Sequence, residues 1–193
     1  MPKLYLATEE PADALLATDP LALLIGMLLD QQVPMERAFA APYLLAQRLG
    51  VDRLDASAIA DHDPEALAEI FAKPTALHRF PGSMAARTQR LCRSVADEYG
   101  GDATAIWTGA RDGADLVARL RGLPGFGPQK AQIFTALLGK QLGVRPEGWR
   151  EAAGAYADDG VFRSVADITD EVSLLKVREY KKQAKAAAKA GKG

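Results

Sequence analysis

The chain has 193 residues, 48% of them hydrophobic and 25% charged, with a net charge of −1, a balance that suits a water-facing globule with a real core and excludes a disordered one. A single cysteine, Cys92, and two histidines, His62 and His78, exclude an internal disulfide, a four-thiolate iron–sulfur cluster and a Cys/His zinc site. No run approaches the roughly 18 apolar residues of a membrane span, and the opening MPKLYLATEEPADA lacks a signal-peptide core, so a cytoplasmic protein with no membrane partner is expected.

Taken in chain order, the pattern is helical almost throughout, and alternating β-branched or aromatic runs are nearly absent. Asp19-Pro20 is a strong start signal, a capping side chain followed by proline at the first helical position. The segment LALLIGMLLDQQ that follows is apolar on almost every side, which predicts a central helix buried by its neighbours. A second helical stretch runs to Leu49, with Gly50 as its stop and Pro42 expected to kink or break it. Asp63-Pro64-Glu65 opens ALAEIFA, and Phe80-Pro81-Gly82-Ser83 turns into MAARTQRLCRSVADEY, which Gly100-Gly101 end. A short helix is expected from Asp112 to Leu120, and another, QKAQIFTALLGKQLG, after a hairpin. A Pro/Gly-punctuated stretch, RPEGWREAAGAYADDG, leads to a last helix capped by Thr169. Residues 176–193 carry seven Lys/Arg against one Glu, so the remainder of the chain is acidic. That basic end either adds non-specific phosphate attraction or is a solvated Lys/Ala helix.

The most informative segment is Leu120–Ala131, LRGLPGFGPQKA. A helix runs in, the chain turns, and a helix runs out from Pro128. Glycines at 125 and 127 permit positive φ and leave no Cβ in the way of a close ligand. Their amides, unpaired near the start of the second helix and at the positive end of its dipole, suit a phosphate oxygen. Phe126 is expected to point inward as an anchor. Lys130 either adds a charge-assisted phosphate contact or is solvated.

Leu123–Ala131 resembles the hairpin signature of the HhH-GPD superfamily, which includes endonuclease III and the adenine, alkyl-base and oxidised-guanine DNA glycosylases. PLALLIGMLLDQQ, at Pro20–Gln32, resembles the early core helix of that family and its glutamine-bearing turn, and Phe80–Tyr99 resembles its later turn and long helix. The matches keep the family's order across about residues 18–150, and the nearest likeness is to a small bacterial branch. The resemblance implies an all-α, two-lobed fold of one HhH-GPD-like unit over 1–193. Residues 18–110 would be largely a helical-bundle lobe, 111–150 the hairpin and catalytic-position segment, and 164–193 a C-terminal helix with its basic tail. It implies a monomer that binds double-stranded DNA in a cleft between lobes and needs no cofactor for its chemistry. It further implies a sodium or potassium ion on the backbone carbonyls of Arg121, Leu123 and Phe126, and a wedge at Gln31 and Gln32 that enters the duplex beside an extruded base. Without the resemblance, a capping or inter-helix hydrogen bond is the favoured reading of both glutamines.

Base removal cleaves an N-glycosidic bond on a flipped nucleotide, and a carboxylate near the sugar stabilises the oxocarbenium-like transition state and handles water. Relatives that also cut the strand use a lysine amine to form a Schiff base; the matching position here is Gln129, which is no nucleophile, so no lyase activity of that kind is expected. The family's catalytic aspartate would fall in GVRPEGW (143–149), where Glu147 is the only carboxylate. Glu147 is therefore the catalytic candidate, or else an exposed loop acid; Asp158 and Asp159 are weaker alternatives. Trp149, Trp107 and Tyr156 either stack on a base or pack in the core, Trp149 being the foremost stacking candidate. His78-Arg79 either meets phosphate or is solvated, and Cys92 reads as core. The expectation is a monofunctional DNA glycosylase; the alternatives are a DNA-binding protein that has lost its chemistry and, more remotely, a helical interaction module.

Overall fold

The computed structural model describes residues 2–192, and every regular element among them is helical. The first two helices are α1 (Glu10–Thr18) and α2 (Pro20–Leu29), followed by α3 (Met35–Leu49), α4 (Ala56–Ala60) and α5 (Pro64–Ala72). Next come α6 (Pro81–Tyr99), α7 (Ala105–Thr108), α8 (Gly113–Arg121) and α9 (Pro128–Gln141). The chain ends with α10 (Trp149–Ala153), 3-10 turns at Gly154–Ala157 and Val165–Asp167, and α11 (Glu171–Ala190).

The boundaries follow local chemistry. Asp19 accepts the amides of Leu21 and Ala22 at the head of α2, and its second oxygen takes the Leu54 amide at 2.8 Å. One buried carboxylate thus starts a helix and pins a distant loop. Asp63 and Asp112 cap α5 and α8 in the same way, and Gly50 and Gly100 end α3 and α6 in the left-handed conformation. Two expectations are corrected. Pro42 lies inside α3 and does not break it, the helix continuing to Leu49 with the proline ring buried. The last helix is capped by Asp170 rather than Thr169, because Asp170 and Ser173 form a reciprocal capping box.

All residues of α2 from Leu21 to Leu29 are buried. It packs on α1, α3 and α6, while α4 and α5 pack on α6. Gly26 lets α3 approach closely: a Cβ there would stand 2.6 Å from Cδ1 of Phe39. A second set of helices gathers around α9, with α8 and α10 against it and against each other. There the Trp149 ring covers Gly139, where a Cβ would meet it at 2.3 Å. The Lys140–Asp167 ion pair (2.5 Å, both side chains largely buried) ties the end of α9 to the second 3-10 turn. Helix α11 is held by Leu174 and Val177 and by an ion pair between Arg178 and Glu36 of α3; from Arg178 onward its residues are exposed. The two sets meet where α2 ends and α9 begins.

Candidate nucleic-acid interface and an adjoining cavity

The segment between α8 and α9 is a tight helical hairpin. Leu123 and Phe126 are buried, and Phe126 meets Phe134 edge-on with ring centroids 6.1 Å apart. This anchors the turn from within, as expected. Gly125 has φ +81°, and a Cβ on it would stand 2.2 Å from Cδ1 of Leu28 in α2, so glycine is required both by conformation and by close approach. Gly127 is different: its φ is −79°, so positive φ is used at 125 only. Both glycines are exposed, and neither amide donates to any atom among the described residues. The α9 start has no side-chain cap. Two exposed, unbonded amides at the positive end of a 14-residue helix are an electrostatic arrangement that suits an anion.

The carbonyls expected to hold a monovalent cation are those of Arg121, Leu123 and Phe126. Among the described residues, those of Arg121 and Phe126 accept no hydrogen bond, and that of Leu123 accepts only the Phe126 amide at 3.1 Å. Hard carbonyl oxygens with spare lone pairs suit sodium or potassium.

Lys130 faces inward. Its ammonium donates to the carbonyls of Met27 (2.7 Å), Leu28 (3.2 Å) and Asp30 (3.4 Å), closing the end of α2 across about a hundred residues of sequence. Burial holds its pKa below the ordinary lysine value, and the Asp30 charge partly offsets this. The expected phosphate contact at Lys130 is therefore corrected: the charge neutralises the negative end of the α2 dipole and locks the Asp30-Gln31-Gln32 turn to the hairpin.

The same turn is braced from the other side by His78, which is fully buried rather than a surface phosphate ligand. Its Nε2 faces the carbonyls of Leu29 (3.1 Å) and Gln31 (2.9 Å), while Nδ1 accepts the Phe80 amide at 3.0 Å. These partners select the neutral Nε2–H tautomer, and burial pushes the pKa below the usual histidine value. Gln31 donates to the Leu28 carbonyl (2.8 Å) and accepts from Arg87 (3.0 Å), so its side chain is spent on the fold. Gln32 is exposed, sits at φ +58° and makes no side-chain hydrogen bond. Of the two glutamines, only Gln32 is free to enter a ligand, and its left-handed backbone is a strained state that the surrounding bracing holds in place.

Between the end of α2, the start of α9 and α11 lies a cavity of about 380 Å³ whose walls include Asp30, Gln129, Lys130, Tyr156, Arg163 and Lys181. Its volume falls within the roughly 300–1,000 Å³ typical of small-ligand sites. Gln129 donates to the Tyr156 hydroxyl at 2.8 Å. Asp30 is half-buried and its carboxylate accepts no hydrogen bond from the described residues. Burial raises its pKa, with Lys181 and Lys130 pulling the other way.

Glu147 stands elsewhere. Its carbonyl accepts the Gly113 amide at 2.7 Å, and the neighbouring Arg145 and Trp149 contact Gly139. Glu147 thus lies at the start of α8 and the end of α9, opposite the hairpin end of both helices. Nine residues of α8 span about 13 Å and fourteen of α9 about 21 Å, so Glu147, the expected catalytic carboxylate, stands at the far end of α9 from Gln129. Asp158 and Asp159 pair with Arg163 and Arg150. Trp149 (8% exposed) and Trp107 are core residues, which corrects the base-stacking role for Trp149; Tyr156 takes the aromatic place beside Gln129. Cys92 is fully buried, as read, and burial drives its thiol pKa up. Asp30 escaped the sequence reading although it left a signal: a carboxylate directly after an apolar helix sits against the negative dipole end, where acids are disfavoured.

No family model, no curated protein and no solved structure matches this chain.

Proposed function

We propose that the chain is an HhH-GPD-type DNA-repair protein, a monofunctional glycosylase that hydrolyses the N-glycosidic bond of a flipped damaged or mispaired base. The observation that carries this reading is the junction made by Lys130. It brings two segments a hundred residues apart into one rigid surface: a hairpin with free outward amides, and a turn that presents an unbonded, strained Gln32. A phosphate held by the Gly125 and Gly127 amides fixes backbone register, Gln32 fills the space that a displaced base leaves, and the cavity behind them receives the base. A sodium or potassium ion on the carbonyls of Arg121, Leu123 and Phe126 would orient the hairpin dipoles towards that phosphate. With Gln129 in place of an amine, and Lys130 fixed on carbonyls, no Schiff base forms; borohydride trapping on abasic DNA is expected to give no cross-link.

A second reading, a DNA-binding protein without chemistry, is favoured by the distance of Glu147 from the hairpin. Both readings predict salt-sensitive binding to duplexes with an abasic-site analogue in preference to intact ones. They part on base release, measured on duplexes bearing uracil, hypoxanthine, an alkylated purine, an oxidised purine or a mismatch. Release from any one supports the glycosylase, and tight binding with no release supports the second reading. No affinity even at low salt refutes both.

A further inference from the structure

We propose that Asp30 is the catalytic carboxylate of this site, acting in the cavity behind the hairpin in place of Glu147; the proposal rests on the glycosylase reading above.

Asp30 occupies a place that the fold itself does not favour. It follows α2 at the negative end of that helix, is half-buried, and its carboxylate has no hydrogen-bond donor among the described residues. A charged group so placed costs stability unless a ligand uses it. Its backbone, by contrast, is held firmly. The Asp30 amide donates to the carbonyls of Gly26 (3.1 Å) and Met27 (3.3 Å), and the Asp30 carbonyl accepts from Lys130. The carboxylate is therefore presented to the cavity from a fixed main chain. The adjacent walls carry Gln129, at the position the resemblance assigns to a reacting group, and its partner Tyr156. Asp30 also lies two residues from Gln32. The proposal places the sugar of a nucleotide displaced beside Gln32 against Asp30 and its base on the side of Tyr156, both of which line the cavity.

In that arrangement the carboxylate stabilises the cationic sugar and takes a proton from the attacking water. The water oxygen bonds to C1′, its proton passes to Asp30, and the C1′–N bond breaks with its electron pair leaving on the base, which takes up a proton from solvent. The products are an abasic sugar and the free base.

The test compares wild type, Asp30→Asn and Glu147→Gln on the panel of lesion duplexes under single-turnover conditions, with binding to an abasic-analogue duplex and thermal denaturation measured alongside. Asp30→Asn is expected to lose base release at least 100-fold while its Kd stays within about threefold and its fold is retained; Glu147→Gln is expected to match wild type. The wild-type rate should fall as pH drops through the raised Asp30 pKa, and Asp30→Asn should lack that limb. The charged and titratable groups that line the cavity with Asp30 are Lys130, Lys181, Arg163, Tyr156 and Tyr180. Base release retained in Asp30→Asn overturns the assignment and leaves the glycosylase reading standing. Absence of release by wild type on every duplex overturns the glycosylase reading, and the role of Asp30 with it. An Asp30→Asn protein that fails to fold is replaced by Asp30→Glu, in which release near the wild-type rate with an unshifted acid limb overturns the proposal.

Discussion

Gly127→Ala distinguishes a hairpin shaped for a ligand from one that only turns the chain. Gly127 has φ −79° and ψ −179°, which any residue adopts, and a Cβ built there meets no atom within 4 Å. Two small backbone effects oppose each other: alanine is the poorer residue at a helix start by roughly 0.5–1 kcal/mol, while removing glycine freedom from the unfolded chain returns roughly 0.4–1 kcal/mol. Folding stability should therefore change by less than about 0.5 kcal/mol, or about 2 °C in Tm. The same methyl group stands where a phosphate must approach the amide. Losing one hydrogen bond to a charged group is worth roughly 1.5–3 kcal/mol, which raises Kd about 10- to 100-fold. Fluorescence anisotropy of a labelled abasic-analogue duplex at several salt concentrations, run beside thermal denaturation, reads both quantities. An unchanged Kd at unchanged Tm would refute the phosphate role of this corner. Gly125→Ala should behave oppositely, losing stability first, because its φ is +81° and its methyl group collides with Leu28.

Lys130→Met removes the donor from the end of α2 and is expected to cost roughly 1.5–3 kcal/mol, lowering Tm by about 3–12 °C and weakening DNA binding as the turn separates from the hairpin. His78→Phe leaves the carbonyls of Leu29 and Gln31 without their donor and should cost about 2–4 kcal/mol by chemical denaturation. Because the folded-state pKa of His78 lies below its unfolded value of about 6.5, its contribution is complete above that pH and is lost as pH falls from there through the folded pKa; the Phe variant should lose that part of the pH dependence. Asp30 has the opposite sign. Its folded pKa lies above 3.8, so its stabilising contribution is present only at acid pH and is lost as pH rises through the folded pKa. Asp30→Asn should accordingly raise Tm by a few degrees at pH 7.5, with the gain vanishing below the unfolded value; a lower Tm at neutral pH would contradict this.

The helical class and most element boundaries were legible because they depend on near neighbours in the chain. Asp19, Asp63 and Asp112 cap within three residues, and the unbroken apolar run of α2 can only be a buried helix. Pro42 misled because its effect depends on tertiary support: the buried ring lies against the core side of α3, and packing outweighs the lost hydrogen bond. The interface was half legible. Gly125 and Phe126 could be read from the turn they make, whereas Lys130 reaches acceptors that lie on another helix. Glu147 was chosen by counting along the chain, but the distance from Gln129 is set by α9 continuing to Gln141 and carrying Glu147 to its far end. His78 looked like a surface residue beside Arg79 until its carbonyl partners appeared.

Leu28 links both working surfaces. Its side chain is the floor on which Gly125 rests, and its carbonyl receives both Gln31 and Lys130. A change of shape at this one aliphatic position therefore reaches the backbone grip and the glutamine turn together, so neither can be retuned alone. Variation that alters which nucleotide is accepted has freer ground on the opposite wall, along the 3-10 turn and α11, where Tyr156 and Lys181 face the same space without bearing on that floor.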